Sequence, residues 1–300
     1  MDSFYDSLRA RRKERTHYYR FMRVVHAELH AIKDREQPIE IVAARLAQRI
    51  RILCLDEFFV SDIADAMILG ALFDGLFRRG VVLIITSNVS PADLYKDGLQ
   101  RQRFLPAIAA IEAHMDVVHV AGAMDYRLRE LEQAPTYLDS ALPTTAAQLK
   151  QRFASLAGGT SGGGATLSIE GRPLTALATG PGLVWFDFKD ICEGPRSQHD
   201  YIEVARLYHT VFISNIPLFT PDNENAARRF IMLIDEFYDR CVNIVVSAAA
   251  PPTALYHGTK LQLEFQRAAS RLIEMQTQPY LAGQHRQHAS PSPGIIRAPE

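Results

Sequence analysis

The chain of 300 residues carries 33 basic and 34 acidic side chains, a net charge of -1 and 47% hydrophobic residues. This balance gives no reason to expect nucleic acid as the main partner, while the apolar content suffices for one large core or two moderate ones. Cys54, Cys192 and Cys241 are too few and too scattered for a disulfide framework or a zinc site. With no bilayer-length apolar run and no signal-peptide pattern, the expectation is a soluble, cytoplasmic protein with reduced thiols.

Residues 1–13 read as a helix whose solvated end carries the basic run Arg9 to Arg15, and His17 to Met22 as the start of a strand or a tight turn. The helix that follows, through His30, sets His26 and His30 one turn apart, a spacing zinc can use, but no third ligand is near. A helix over 40–49 then leads into Ile50-Arg-Ile-Leu-Cys-Leu-Asp56-Glu57. Apolar residues at 52, 53 and 55 predict a short buried strand that ends in two carboxylates. Open α/β folds bind ligands at that carboxyl edge. In nucleotide hydrolases an Asp there holds Mg²⁺ and the next carboxylate can activate water, the Walker B arrangement; the alternative is a pair of acids that caps the next helix.

Asp62 to Arg79 has helical apolar spacing, and Gly80 to Ile85 reads as a second buried strand ending in Thr86-Ser87-Asn88. A strand–helix–strand unit of this kind gives parallel strands with their carboxyl ends together. Asn88 then falls near Asp56 and Glu57, as a group able to orient water or meet a phosphate. Arg101 and Arg103 lie on the following loop; an arginine there can reach a neighbouring subunit's nucleotide, or simply be solvated.

Beyond 120 the pattern gives a charged helix over Tyr126–Leu131, a connection over 133–145 and a helix over 144–157. The Gly158–Gly164 run reads as a flexible loop, because it has no Lys and no helix after it. Short strands are expected over 165–188, with Val184, Phe186 and Phe188 on one face. A helix–strand unit ending at Asn215 and a helix over Ala226–Arg240 follow. Asp235-Glu236 lies inside that helix and reads as a surface or interface pair. Leu72 to Tyr95 aligns without a gap on Leu233 to Tyr256: Leu72, Asp74, Arg79, Val81, Pro91, Leu94 and Tyr95 recur as Leu233, Asp235, Arg240, Val242, Pro252, Leu255 and Tyr256. Duplication and shared packing demands both account for this. Asn88 corresponds to Ala249, so the second unit is expected to be structural or regulatory. The last helix, Lys260–Gln276, places Arg267 and Arg271 one turn apart, with Arg271 spaced to pair with Glu274 on the helix surface. From Gly283 the composition predicts a disordered tail.

The runs L-D-E-F-F-V-S-D-I-A-D-A-M-I-L, I-I-T-S-N and L-Y-K-D-G-L-Q-R-Q-R-F-L-P-A-I resemble the ZapE-like AAA+ ATPases, a family with mitochondrial members. The likeness continues through Met124–Arg129, Phe186–Phe188, Pro195–Ser197 with Asp200-Tyr201, Ile213–Pro217, Asp235–Arg240 and Ser270–Gln276. The implied fold is α/β, a P-loop NTPase of AAA+ type with a parallel sheet flanked by helices and a second α/β unit toward the C-terminus. The corresponding division is 1–132 for the ATPase core, 133–183 for a linker and small strand-rich insertion, 184–282 for the second unit and 283–300 for the tail.

The chain departs from the family in one respect. It holds no Gly-x-x-x-x-Gly-Lys-Ser/Thr run, the loop whose amides and lysine cradle phosphates. Met1-Asp2-Ser3-Phe4-Tyr5 matches the helix that follows such a loop, so the expectation is a fold whose first strand and phosphate loop are missing. As the resemblance implies, ATP and Mg²⁺ are the cofactors. Asp56 is the metal ligand, Glu57 activates water, Asn88 positions it, Arg101 or Arg103 acts in trans and Arg271 contacts nucleotide. The implied assembly is a homo-oligomer, and the implied function is remodelling of a protein partner, FtsZ in a bacterium. A non-hydrolysing binding or regulatory fragment is the alternative.

Overall fold

The computed structural model describes residues 1–32, 35–60, 62–96, 98–120, 128, 131, 134–159 and 162–286. Most of the expected charged helix at 126–131, part of the glycine run and the tail from 287 lie outside these residues. The chain forms two compact units, Met1–Ala121 and Gly122–Glu300. Among the described residues no helix is long and apolar enough to cross a membrane.

The first unit contains α1 (Asp2–Ser7), β1 (Lys13–His17), α2 (Tyr18–Ala31), α3 (Pro38–Arg49), β2 (Ile52–Asp56), α4 (Ile63–Arg78), β3 (Val82–Ile85) and α5 (Leu105–His114). Its sheet runs β1-β2-β3, all parallel, with His17 opposite Asp56 and Leu55 opposite Ile85. Leu53, Cys54 and Leu55 are buried, and Leu53 and Leu55 share one core with residues of α2, α3, α4 and α5. Three expectations are corrected. Tyr18–Met22 opens α2 rather than a strand or a tight turn. The first helix stops at Ser7 and the basic run enters β1, because Arg51 N–H donates to Arg12 O (2.7 Å) and the ladder to β2 outweighs local propensity. The strand expected from Gly80 is shorter, and Val82, at 54% exposure, lies on the sheet's edge. Asp62 caps α4 by accepting from Ala64 N–H at 2.6 Å.

The second unit contains β4 (Tyr137–Asp139), α6 (Thr145–Leu156), the antiparallel hairpin β5 (Ala165–Ile169) and β6 (Arg172–Ala176), then β7 (Ala178–Gly180), β8 (Leu183–Asp187), α7 (Gln198–Leu207), β9 (Thr210–Ile216), α8 (Glu224–Asp239), β10 (Asn243–Ala248), α9 (Gln262–Glu274) and α10 (Gln278–Leu281). The sheet order is β4-β10-β9-β8-β7, parallel except for the β7 edge. Residues 133–183 thus supply β4 and β7 to the main sheet of this unit. Val184, Phe186 and Phe188 share one core with α7, α8 and α9, while Leu183, Phe212 and Val245 face Phe153 of α6.

The sequence repeat corresponds to shared hydrogen bonding. After α4, Gly80 N–H donates to Phe77 O and Val81 N–H to Leu76 O; after α8, Cys241 N–H donates to Tyr238 O and Val242 N–H to Phe237 O. Both turns place one residue in the left-handed region, Gly80 at φ 71° and Cys241 at φ 51°. Arg79 and Arg240 each donate to the carbonyl one turn back, of Gly75 (2.9 Å) and Glu236 (3.3 Å). Pro91–Asp93 and Pro252–Ala254 form matching single 3-10 turns. Beyond them Tyr95 packs on Phe104 and Tyr256 on Phe265.

Candidate active site at the carboxyl edge of the first sheet

Parallel pairing fixes which side chains meet at this edge. Side chains alternate along a strand, and Arg15 lies opposite Cys54. Arg15, His17 and Asp56 therefore project from one face. Arg15 Nε donates to Asp56 Oδ2 at 2.6 Å, with the two side chains 24% and 14% exposed. From the other flank Thr86 Oγ1 donates to Asp56 Oδ1 at 3.5 Å, the outer limit of such a bond. Asp56 is thus held from both neighbouring strands.

The turn after Asp56 is tied to the end of β3. Glu57 has φ 54°, a left-handed conformation uncommon for a residue with a Cβ and often found at functional sites. Its N–H donates to Thr86 Oγ1 (3.2 Å), Phe58 N–H to Thr86 O (2.8 Å) and Ser87 Oγ to Phe58 O (2.8 Å). Phe58 is buried against Tyr18, edge-on at 4.8 Å, and against Phe73. This anchor sets the direction in which the chain leaves β2.

Asn88 is exposed on the loop beyond β3, and the residue of that strand end that meets Asp56 is Thr86. Arg101 is half-buried and its Nη2 donates to Ala92 O (2.6 Å); Arg103, in the same 3-10 turn, is exposed. Arg271 belongs to the second unit. There it pairs with Asp235 at 2.5 Å and with Asp239 at 3.6 Å, and stacks on Tyr238 at 4.6 Å, rather than pairing with Glu274. Asp235 also pairs with Arg267 (2.7 Å). Glu236 is buried rather than on the surface, held by Arg240 and by Gln198 Nε2 at 2.5 Å.

Three residues at the edge were not singled out from sequence. Arg15 and His17 became visible only once the basic run was a strand, and Thr86 read as one of three equal polar residues. His17 is largely buried and its Nδ1 has no partner among the described residues. Burial pushes its imidazole below the ordinary value, Asp56 acts the other way, and Arg20 and Arg15 add to the lowering. Behind it Tyr18 Oη donates to Asp65 Oδ2 (3.0 Å), and His26 Nε2 lies 2.6 Å from Asp65 Oδ1. Burial first, and then Asp65, raises the Tyr18 hydroxyl well above its usual range. His26 is thus engaged in tying α2 to α4. Among the described residues no three His, Cys, Asp or Glu side chains are grouped to hold a metal by themselves.

A single hard carboxylate is nevertheless the donor set that suits Mg²⁺, which keeps several waters and takes one or two carboxylates together with substrate phosphates. Asp56 fits that role. At the corresponding edge of the second sheet, Asn215 (φ 63°) donates its N–H to Ser247 Oγ at 3.0 Å, as Glu57 does to Thr86. Its side chain donates to Asp187 at 2.7 Å. The geometry is repeated there without the paired acids.

The family model for AFG1-like ATPases matches residues 1–284. The chain belongs to the AFG1-like ATPase family. It is 48% identical over 285 residues to the cell division protein ZapE of Escherichia coli strain K12, covering 95% of this chain and 76% of that protein. It is 35% identical to lactation elevated protein 1 homolog B of Danio rerio (93% of this chain, 65% of that protein), and 32% identical to an uncharacterised protein of Schizosaccharomyces pombe (94% and 70%). No solved structure matches significantly. The helix-flanked parallel sheets are consistent with the P-loop NTPase fold of this AFG1-like ATPase.

Proposed function

We propose that the protein binds ATP with Mg²⁺ at the carboxyl edge of β1-β2-β3 and couples its hydrolysis to remodelling of a protein partner in the cytoplasm. The observation that carries this reading is Asp56-Glu57 at the end of a central parallel strand, with Asp56 held by Arg15 and Thr86. Asp56 would hold Mg²⁺, which when bound neutralises phosphate charge. Glu57 takes a proton from the attacking water, and Asn88, exposed on the adjoining loop, orients that water. Arg103, exposed where Arg101 is tied to its own loop, is the better placed of the two to meet a neighbouring subunit's nucleotide in a homo-oligomer. Arg271 would act on nucleotide only by exchanging its pairing with Asp235. Since the E. coli relative is a cell division protein, FtsZ is the partner to test first.

The test is ATP turnover by the 300-residue chain and by a form that includes the genomic sequence upstream of Met1. Glu57→Gln should lower the rate by about 100-fold or more, the scale of a lost general base, with ATP still bound. An unchanged rate would sink the water-activating role. The absence of a Gly-x-x-x-x-Gly-Lys-Ser/Thr run from the 300 residues favours a second reading for this chain alone, as a binding or regulatory module without turnover. Tight ATP binding with turnover by the 300-residue chain excludes it.

A further inference from the structure

Of the two oxygens of Asp56, one is already committed within the protein. Arg15 stands on the neighbouring strand, two residues before the position opposite Asp56, and its side chain runs forward along the face they share. A one-residue slip of β1 would carry it to the opposite face. Its Nε reaches Oδ2 at 2.6 Å, while among the described residues Oδ1 meets only the distant hydroxyl of Thr86. The terminal torsion of an aspartate is broad when nothing holds it. A planar, directional donor such as guanidinium fixes it more closely than an ammonium would.

We propose that Arg15 is a positioning residue for the metal site: by taking Oδ2 it orients Asp56 and reserves Oδ1 for a metal-bound water. This rests on the reading of Asp56 as the Mg²⁺ residue. Groups that orient a metal-binding side chain from behind typically matter about 10- to 100-fold in metal affinity. The competing account is an ion pair that merely fastens the edge strand β1 to β2. That account predicts a lower melting temperature with metal affinity unchanged.

The probe is Mn²⁺, followed by electron paramagnetic resonance in the presence of a non-hydrolysable ATP analogue, on the full protein and its variants. Arg15→Ala should weaken Mn²⁺ binding about tenfold, leave analogue binding in EDTA within about twofold, and be partly rescued in Arg15→Lys. Mn²⁺ affinity in Arg15→Ala equal to or tighter than the parent's overturns the inference, whatever its melting temperature. Should Arg15→Ala not fold, Arg15→Gln is judged by the same criterion. Asp56→Ala separates the two levels of the argument. If it weakens Mn²⁺ while Arg15→Ala does not, only the role of Arg15 is lost. If Asp56→Ala binds Mn²⁺ normally, or the parent binds none with the analogue, the placement of the metal fails and the role of Arg15 with it.

Discussion

At the scale of single residues, His17 sits at the end of β1 opposite Asp56, and its surroundings disfavour the charged ring. Burial outweighs the attraction of Asp56, and Arg20 and Arg15 push the same way, so the folded value lies below 6.5. Between that lowered value and 6.5 the unfolded chain binds more protons than the folded one. Stability therefore rises with pH across this window and is lost as pH falls through it. Urea midpoints taken from about pH 7 to about pH 5 should decline less steeply for His17→Gln than for the parent. Identical slopes would show that His17 does not carry this dependence. Neither His17 nor Arg15 stood out in the sequence, since Arg15 ends a basic run and His17 opens the segment that read as a strand or tight turn. What reveals them is the β1–β2 register, which depends on pairing between residues far apart in the chain. Asp56 and Glu57 were legible because a short apolar run and its polar end are both local.

At the scale of elements, the helix–turn–strand unit that occurs twice was legible from spacing alone, but the surroundings of its two arginines were not. Arg79 pairs with Glu40 at 2.9 Å, with both side chains partly open to water. Arg240 and Glu236, only 6% and 10% exposed, pair at the C-terminal end of α8, and Gln198 reaches the same carboxylate from α7. A charged pair near a helix end reads as surface in sequence; the packing of α7 against α8 is what removes it from water. Deleting one member of a buried pair leaves an uncompensated charge, so Arg240→Ala should cost about 3 kcal/mol or more in urea unfolding. Arg79→Ala, with its partners still hydrated, should cost clearly less. Equal losses would mean that the two turns share their solvation as well as their hydrogen bonds. The short first helix has a similar lesson: a basic segment with helical composition became a strand because β2 offered a ladder, which outweighed a weak local preference.

At the scale of the molecule, each unit has its own hydrophobic core, and the single tryptophan belongs to the second. Trp185 packs against Phe153 and Phe212, with Nε1 donating to Ser214 Oγ at 3.2 Å, so its emission reports the packing of that unit. Far-ultraviolet circular dichroism follows the helices of both. The first unit rests on a three-stranded sheet with an open-edged Val82, the second on five strands with cores on both faces. Urea should therefore produce a dichroism transition that begins below the fluorescence transition, a departure from two-state behaviour. Nucleotide supplies a second axis for the same experiment. A ligand stabilises what it binds by mass action, so ATP with Mg²⁺ acting at Asp56 should raise the early, fluorescence-silent part of the dichroism curve. The tryptophan midpoint should stay where it was. If the fluorescence midpoint moved alone, nucleotide would be bound by the second unit and the edge of β1-β2-β3 would not be its site. Two curves that coincide and move together would mean that the units unfold as one body. Where the two curves separate, the comparison locates the ligand by unit before any catalytic side chain is changed.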